Sequence, residues 1–275
     1  MDSAFESGLN LLLFAALGVT AGGLSGLFGI GGGMVIVPGL FYLFGLMDLP
    51  HETLMHVAAG TSMCIMIFTS AASTWFHHRR GDVHWNIFRT IIGFIGIGVI
   101  LGNLLANHMS TDWLEMVFGL FLLFVSLKML LDWKAAAKEA GHPQLWLTGL
   151  VGVAIGFKSG VLGIGGGAIS VPFLLFAGLP VSQASGTSAS FTLPIAVVGT
   201  LAFLVSAGHT QVLPWASGYI YWPAVALVAP FTVVGAPLGT HLSHVLPGQR
   251  LKILFAAFLL LLGLRLVGSS MPHLL

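Results

Sequence analysis

Gly29–Pro38 reads GIGGGMVIVP, and Gly163–Pro172 reads GIGGGAISVP. Glycine is poorly suited to a helix interior, yet both triplets lie inside apolar stretches, and what surrounds them decides the fold. The chain has 275 residues, 56% hydrophobic and 7% charged, with a mean hydropathy of +0.98. That is far too apolar for an ordinary soluble domain and reads as an integral membrane protein. The stretches are helical in length and lack the alternating ten-residue pattern of a barrel, so helices must satisfy the backbone in lipid. The fold class is therefore all-α, a polytopic transmembrane bundle forming one domain over 1–275. The single cysteine, Cys64, can make no internal disulfide and reads as a packing residue. The N-terminal MDSAFESGLN is acidic where a secretory signal is basic, so the first apolar run reads as retained.

Ten apolar segments follow: Leu9–Leu24, Met34–Leu46, Leu54–Phe76, Ile87–Asn107 and Trp113–Leu131, then Leu145–Phe157, Ala168–Leu179, Val181–Ala207, Tyr219–Leu242 and Leu251–Val267. The second five repeat the first. An offset of 134 carries Gly29, Gly31, Gly32, Gly33 and Pro38 onto Gly163, Gly165, Gly166, Gly167 and Pro172. Gly-Thr-Ser at Gly60–Ser62 recurs at Gly186–Ser188, and an offset of 137 carries Gly81, Trp85, Gly102 and Lys128 onto Gly218, Trp222, Gly239 and Arg265. This is an internal duplication, with a first repeat over 8–133 and a second over 145–268.

Charge gives the orientation. Arg79, Arg80 and Arg89 mark one loop as cytoplasmic, and Lys128, Lys134 and Lys138 mark another. Counting crossings from these loops puts both termini outside and inverts the second repeat relative to the first, an architecture common among secondary transporters. The tryptophans fall near segment ends, where an aromatic belt belongs.

The two segments after the glycines are short, reaching only ~18–20 Å as helices at 1.5 Å per residue, less than the hydrocarbon core. Each glycine run is thus expected to turn a re-entrant or broken-helix hairpin near the midplane. Glycine permits positive φ and lets a second backbone or a ligand approach closely, and a helix starting just after the turn offers unpaired amides and a dipole to an anion. The sequence leaves open whether that helix begins at the glycines or at Pro38 and Pro172. All nine acidic residues lie in loops or at segment ends, and the absence of a deep carboxylate argues against a cation carrier. The expected site is lined by Gly31, Gly32, Gly33, Gly165, Gly166 and Gly167, by Ser25 and Ser159 just before the turns, and by Thr61, Ser62, Thr187 and Ser188. Lys158 replaces Leu24 of the first repeat, so a lone ammonium near the second turn is expected to face the anion.

The motifs GLSGLFGIGGGMVIVP and SGVLGIGGGAISVP, each followed by Gly-Thr-Ser, resemble those of the TauE/SafE family of membrane proteins, the sulfite-exporter or sulfonate-permease group, over nearly the whole chain. The resemblance implies a transporter of small sulfur-containing anions such as sulfite, sulfoacetate or related organosulfonates, with no enzymatic step. An anion channel is the alternative, since glycine-rich re-entrant loops also build filters; an intramembrane enzyme ranks below it, for want of a nucleophile and base in one layer. The expected partners are a small anion and the lipid bilayer of a bacterial inner membrane, with homo-oligomerisation open. No nucleic acid, cofactor or metal is expected; His84 and the adjoining HHRR read as a solvated, positive-inside loop.

Overall fold

The apolar runs become ten helices in a computed structural model, which describes residues 2–28, 32–47, 49–131, 145–207, 214–245 and 248–274. In chain order they are α1 (Asp2–Phe28), α2 (Gly33–Leu46), α3 (His51–Arg79), α4 (Trp85–His108), α5 (Thr111–Leu130), α6 (Leu145–Leu162), α7 (Gly167–Phe176), α8 (Val181–Ser206), α9 (Trp222–Val245) and α10 (Gly248–Leu274). A two-residue-per-strand hairpin, β1 (Ala216–Ser217) with β2 (Ile220–Tyr221), precedes α9. Helices α3, α4, α5, α6, α8 and Lys252–Pro272 of α10 are long and apolar enough to cross a membrane.

Local chemistry sets the ends. Helix α3 has Glu52 in its first turn and Arg79 in its last, each charge at the favourable pole of the helix dipole. Ser110 caps α5, accepting from the Trp113 amide at 3.4 Å. Helices α2 and α7 begin at the glycines, so Pro38 and Pro172 fall inside them, each removing one helix hydrogen bond.

Glycine contacts fix the directions. Gly98 and Gly102 of α4 lie against Val153, Phe157 and Val161 of α6, and Gly156 and Gly160 of α6 lie against Ile95, Val99 and Asn103, so α4 and α6 run parallel, nearly backbone to backbone. Gly18 and Gly22 of α1 meet Val228 to Thr232 of α9, and Gly239 meets Gly23, another parallel pair. Gly60 meets Phe203 and Gly199 meets Met63, so α3 and α8 are antiparallel at the centre; Glu115 with Ser269 and Ser126 with Ala256 make α5 and α10 antiparallel too. Exchanging the first five helices for the last five leaves this set of partners unchanged. Helix α1 descends from the end bearing His51, and α2 returns to it, as the Phe14–Phe44 ring pair at 6.4 Å and the Gly32 contact with Ala21 and Ser25 require. Helices α6 and α7 make the matching hairpin from the end bearing Arg79 and Arg80, since α6 runs parallel to α4.

Candidate functional site

The two hairpins meet. A Cβ on Gly33 would stand 2.9 Å from both the Ile164 Cα and the Met66 sulfur, so the start of α2, the second glycine turn and α3 are in contact. Gly163 (φ +67°) has no room for a side chain either, with Ala59 only 2.5 Å from where its Cβ would be. Gly32 is left-handed before α2 (φ +74°), whereas its counterpart Gly166 (φ −70°) is not, and Gly163 takes that conformation before α7. The first helix hydrogen bonds run from Val35 and Ile36 to the Gly32 carbonyl, and from Ile169 and Ser170 to the Gly166 carbonyl, at 3.0–3.1 Å. Amides earlier in each helix have no acceptor within it, which is the arrangement that suits an anion. Gly31 lies outside the described residues.

The two Gly-Thr-Ser motifs do the same thing in opposite halves. Thr61 Oγ1 accepts from the Tyr221 amide at 3.0 Å, and Thr187 Oγ1 accepts from the His84 amide at 3.0 Å. Gly60 lets the Tyr219 carbonyl come within 2.5 Å of its missing Cβ, and Gly186 does so for Asp82 at 2.7 Å. Each motif thus holds the chain just before α9 or α4, in the other half of the molecule, and each threonine keeps its own O–H proton for donation. Burial raises the Tyr219 phenol above its ordinary pKa, so it stays neutral where it packs on His56 and Phe203.

The serines differ. Ser188 and Ser170 share a hydrogen bond at 2.6 Å, but Ile36 stands where Ser170 would in the first half, and the fully buried Ser62 hydroxyl has no partner among the described residues. One helical turn before Met66, Ser62 shares the face turned toward Gly33 and Ile164. Ser159 bonds back to the Ile155 carbonyl at 2.7 Å, and Ser25 is buried beside Gly32. Lys158 donates to the Gly165 carbonyl at 2.7 Å and lies 5.3 Å over the Phe121 ring, so its ammonium braces the second glycine turn. Cys64 is buried in the core, as a packing residue should be.

One reading of the sequence needs correction. Glu115, placed at a segment end, is 1% exposed, accepts from Ser269 and lines a cleft of about 500 Å³ with Tyr42, His51 and Arg265. The fold buries it because α10 covers the first turns of α5. Arg265 sits 4.4 Å over the Tyr42 ring, and His51, Asp112 and Glu115 bring ligand atoms within 4.8 Å of one another. The Asp112–Glu115 spacing of one helical turn was a signal for this cluster; His51, more than fifty residues away in sequence, was not.

Contacting glycine turns, two helical hairpins entering from opposite ends and, among the described residues, six helices long and apolar enough to span make a polytopic helical membrane protein, the class to which helical transporters belong. The profile of the sulfite exporter TauE/SafE family matches residues 14–266, and the chain belongs to that family. It is similar to a probable membrane transporter protein of Haemophilus influenzae, 33% identical over 93% of this chain and 97% of the relative. A probable membrane transporter protein of Methanocaldococcus jannaschii is 29% identical over 94% and 96%, and YunE of Bacillus subtilis, also a probable membrane transporter protein, is 27% identical over 94% and 98%. No solved structure matches. The protein is an integral membrane transporter and not an enzyme.

Proposed function

We propose that the chain is a secondary carrier of small sulfur-containing anions, such as sulfite, sulfoacetate or related organosulfonates, working by alternating access around a site between the two glycine turns. One juxtaposition carries the reading: hairpins from opposite ends bring Gly33 against Ile164, with the buried Ser62 hydroxyl, unpartnered among the described residues, on the adjoining face. Helix-start amides and hydroxyls are donors, which an oxyanion accepts from. The substrate class comes from the family, whose name is that of a sulfite exporter.

The two repeats are inverted, and the antiparallel α3–α8 and α5–α10 pairs support this. Each half can then rock against the other about the turns. The arginine-bearing end is cytoplasmic by the positive-inside rule, and both termini face outward from a bacterial inner membrane. Van der Waals contact between the turns favours a carrier over an open filter.

Counterflow in proteoliposomes tests this. Vesicles preloaded with sulfite or sulfoacetate should accumulate the labelled anion transiently against its gradient, and a steady current without exchange would refute the carrier. A thermal-shift series with sulfite, sulfoacetate, taurine, sulfate and thiosulfate names the ligand, since one that binds only the folded state raises its stability.

A further inference from the structure

Helix α3 carries a polar face that the site does not use up. At 100° per residue, Ser62, Met66, Thr69, Ser73, His77 and Arg80 fall within an arc of about 80°, running from the glycine turns to the arginine-bearing end. At the head of this face is Ser62, fully buried and without a partner among the described residues. At its foot is a niche of about 20 Å³, room for a water, lined by Gly26 of α1, Ala236 of α9, and Ser73, Phe76, His77 and Arg80. Gly26 lies in the last turn of α1, just before the first glycine turn, so the niche and that turn are only a few residues apart in sequence. Between head and foot, Thr69 meets Thr232 of α9 at 2.8 Å, keeping the seam between α3 and α9 polar where lipid-facing packing would need only apolar groups.

The matching face of α8 is different. Ser188, Thr192, Ile195, Gly199, Phe203 and Ser206 fall on the same arc, but Met63 fills the space at Gly199, and Phe203, 1% exposed, packs on Tyr219. Where α3 has a half-buried His77, α8 has a sealed phenylalanine.

We propose that the Ser62–Arg80 face of α3 lines the arginine-end half of the anion's path, and that Ser73, His77 and Arg80 form its mouth, a subsite for a small sulfonate or sulfite-like oxyanion. This rests on the carrier reading above. Arg80 at the niche, with Arg79 beside it in sequence and Arg89 in the second turn of α4, supplies the attracting field; Asp82 is the acid at the mouth, 3.5 Å from His77 Nδ1. Ser73 and the polar seam above it pass the anion toward Ser62 and the helix-start amides.

Charge-selective thiol labelling in nanodiscs tests the path. In a Cys64→Ala background, Ser73→Cys should react with sulfonatoethyl methanethiosulfonate about tenfold faster than with its trimethylammonium analogue, each rate normalised to a free thiol. Adding Arg80→Gln should bring the ratio close to one, and sulfoacetate should slow the labelling. Phe76→Cys, half exposed in the same niche, replaces Ser73→Cys if that variant fails to fold. Equal rates for the two reagents, or a ratio indifferent to Arg80→Gln, would overturn the proposal. Unreactive cysteines in a protein that still counterflows sulfoacetate would discard the path and keep the carrier reading. Anion-selective labelling without sulfoacetate counterflow or protection would keep the path and discard that substrate.

Discussion

Two serines at matching places make opposite predictions. Ser188 is satisfied by Ser170, so Ser188→Ala should cost about 1 kcal/mol and leave the Ser170 hydroxyl short of a partner. Ser62 has no such bond among the described residues, so Ser62→Ala should leave the unfolding temperature in detergent unchanged or raised while weakening binding of the transported anion. A Ser62→Ala protein that binds as before would show the hydroxyl to be idle. The glycines separate in the same way. Gly163→Ala would meet both a left-handed backbone and Ala59 at 2.5 Å, and should destabilise by about 2–5 kcal/mol. Gly32→Ala, with nothing nearer than 3.4 Å among the described residues, should lose only the backbone term of about 1–2 kcal/mol. Thermal unfolding of the two variants side by side reads the difference. Much at this scale was legible: the glycine runs and Gly-Thr-Ser were visible as repeated words. What Thr61 binds was not, because Tyr221 lies 160 residues away and offers a backbone amide, which leaves no mark on residue type.

At the scale of elements, the glycines do two jobs that composition alone cannot separate. Gly98, Gly102, Gly156 and Gly160 let α4 and α6 touch, whereas Gly93 and Gly96 on the same helix α4 have nothing among the described residues within 4 Å of a Cβ. The four-residue spacing of the first group was in the sequence, but not the partner helix, because parallel packing of α4 on α6 joins segments from different repeats. Gly156→Val should therefore break the pair, since its side chain would drive into the Ile95 carbonyl, and the variant should fail to give a monodisperse protein. Gly93→Ala and Gly96→Ala should be neutral or stabilising by up to about 1 kcal/mol, the helix propensity gained. Equal tolerance of all three substitutions would mean that α4 and α6 do not pack as described. The same blindness hid Glu115: its place one turn into α5 looked like a helix end in water, and only the antiparallel α10, ending with Ser269 beside it, buries it.

At the scale of the whole molecule, the charge pattern of a few loops predicts an orientation that can be compared with the packing. Arg79, Arg80 and Arg89 stand at the end where α3 gives way to α4, and α8 begins there too, since Thr187 holds the His84 amide and Gln183 Oε1 lies 2.7 Å from His84 Nε2. Glu52 stands at the other end, its carbonyl bound by the Thr111 hydroxyl at 2.7 Å. An inverted pair of repeats in a membrane that holds the arginines inside therefore assigns each of these sites a side. With Cys64 replaced by alanine, cysteines at Ser3 and Glu52 should react with an impermeant maleimide in right-side-out vesicles, and one at Ser182, exposed at the start of α8, should react only after permeabilisation. Labelling of Ser182→Cys in sealed vesicles, with Glu52→Cys protected, would reverse the orientation; labelling of both would sink the assignment of the two ends to opposite faces. The first outcome leaves the carrier mechanism intact, because two hairpins that meet at their turns work equally from either side, while the second removes the barrier that alternating access requires.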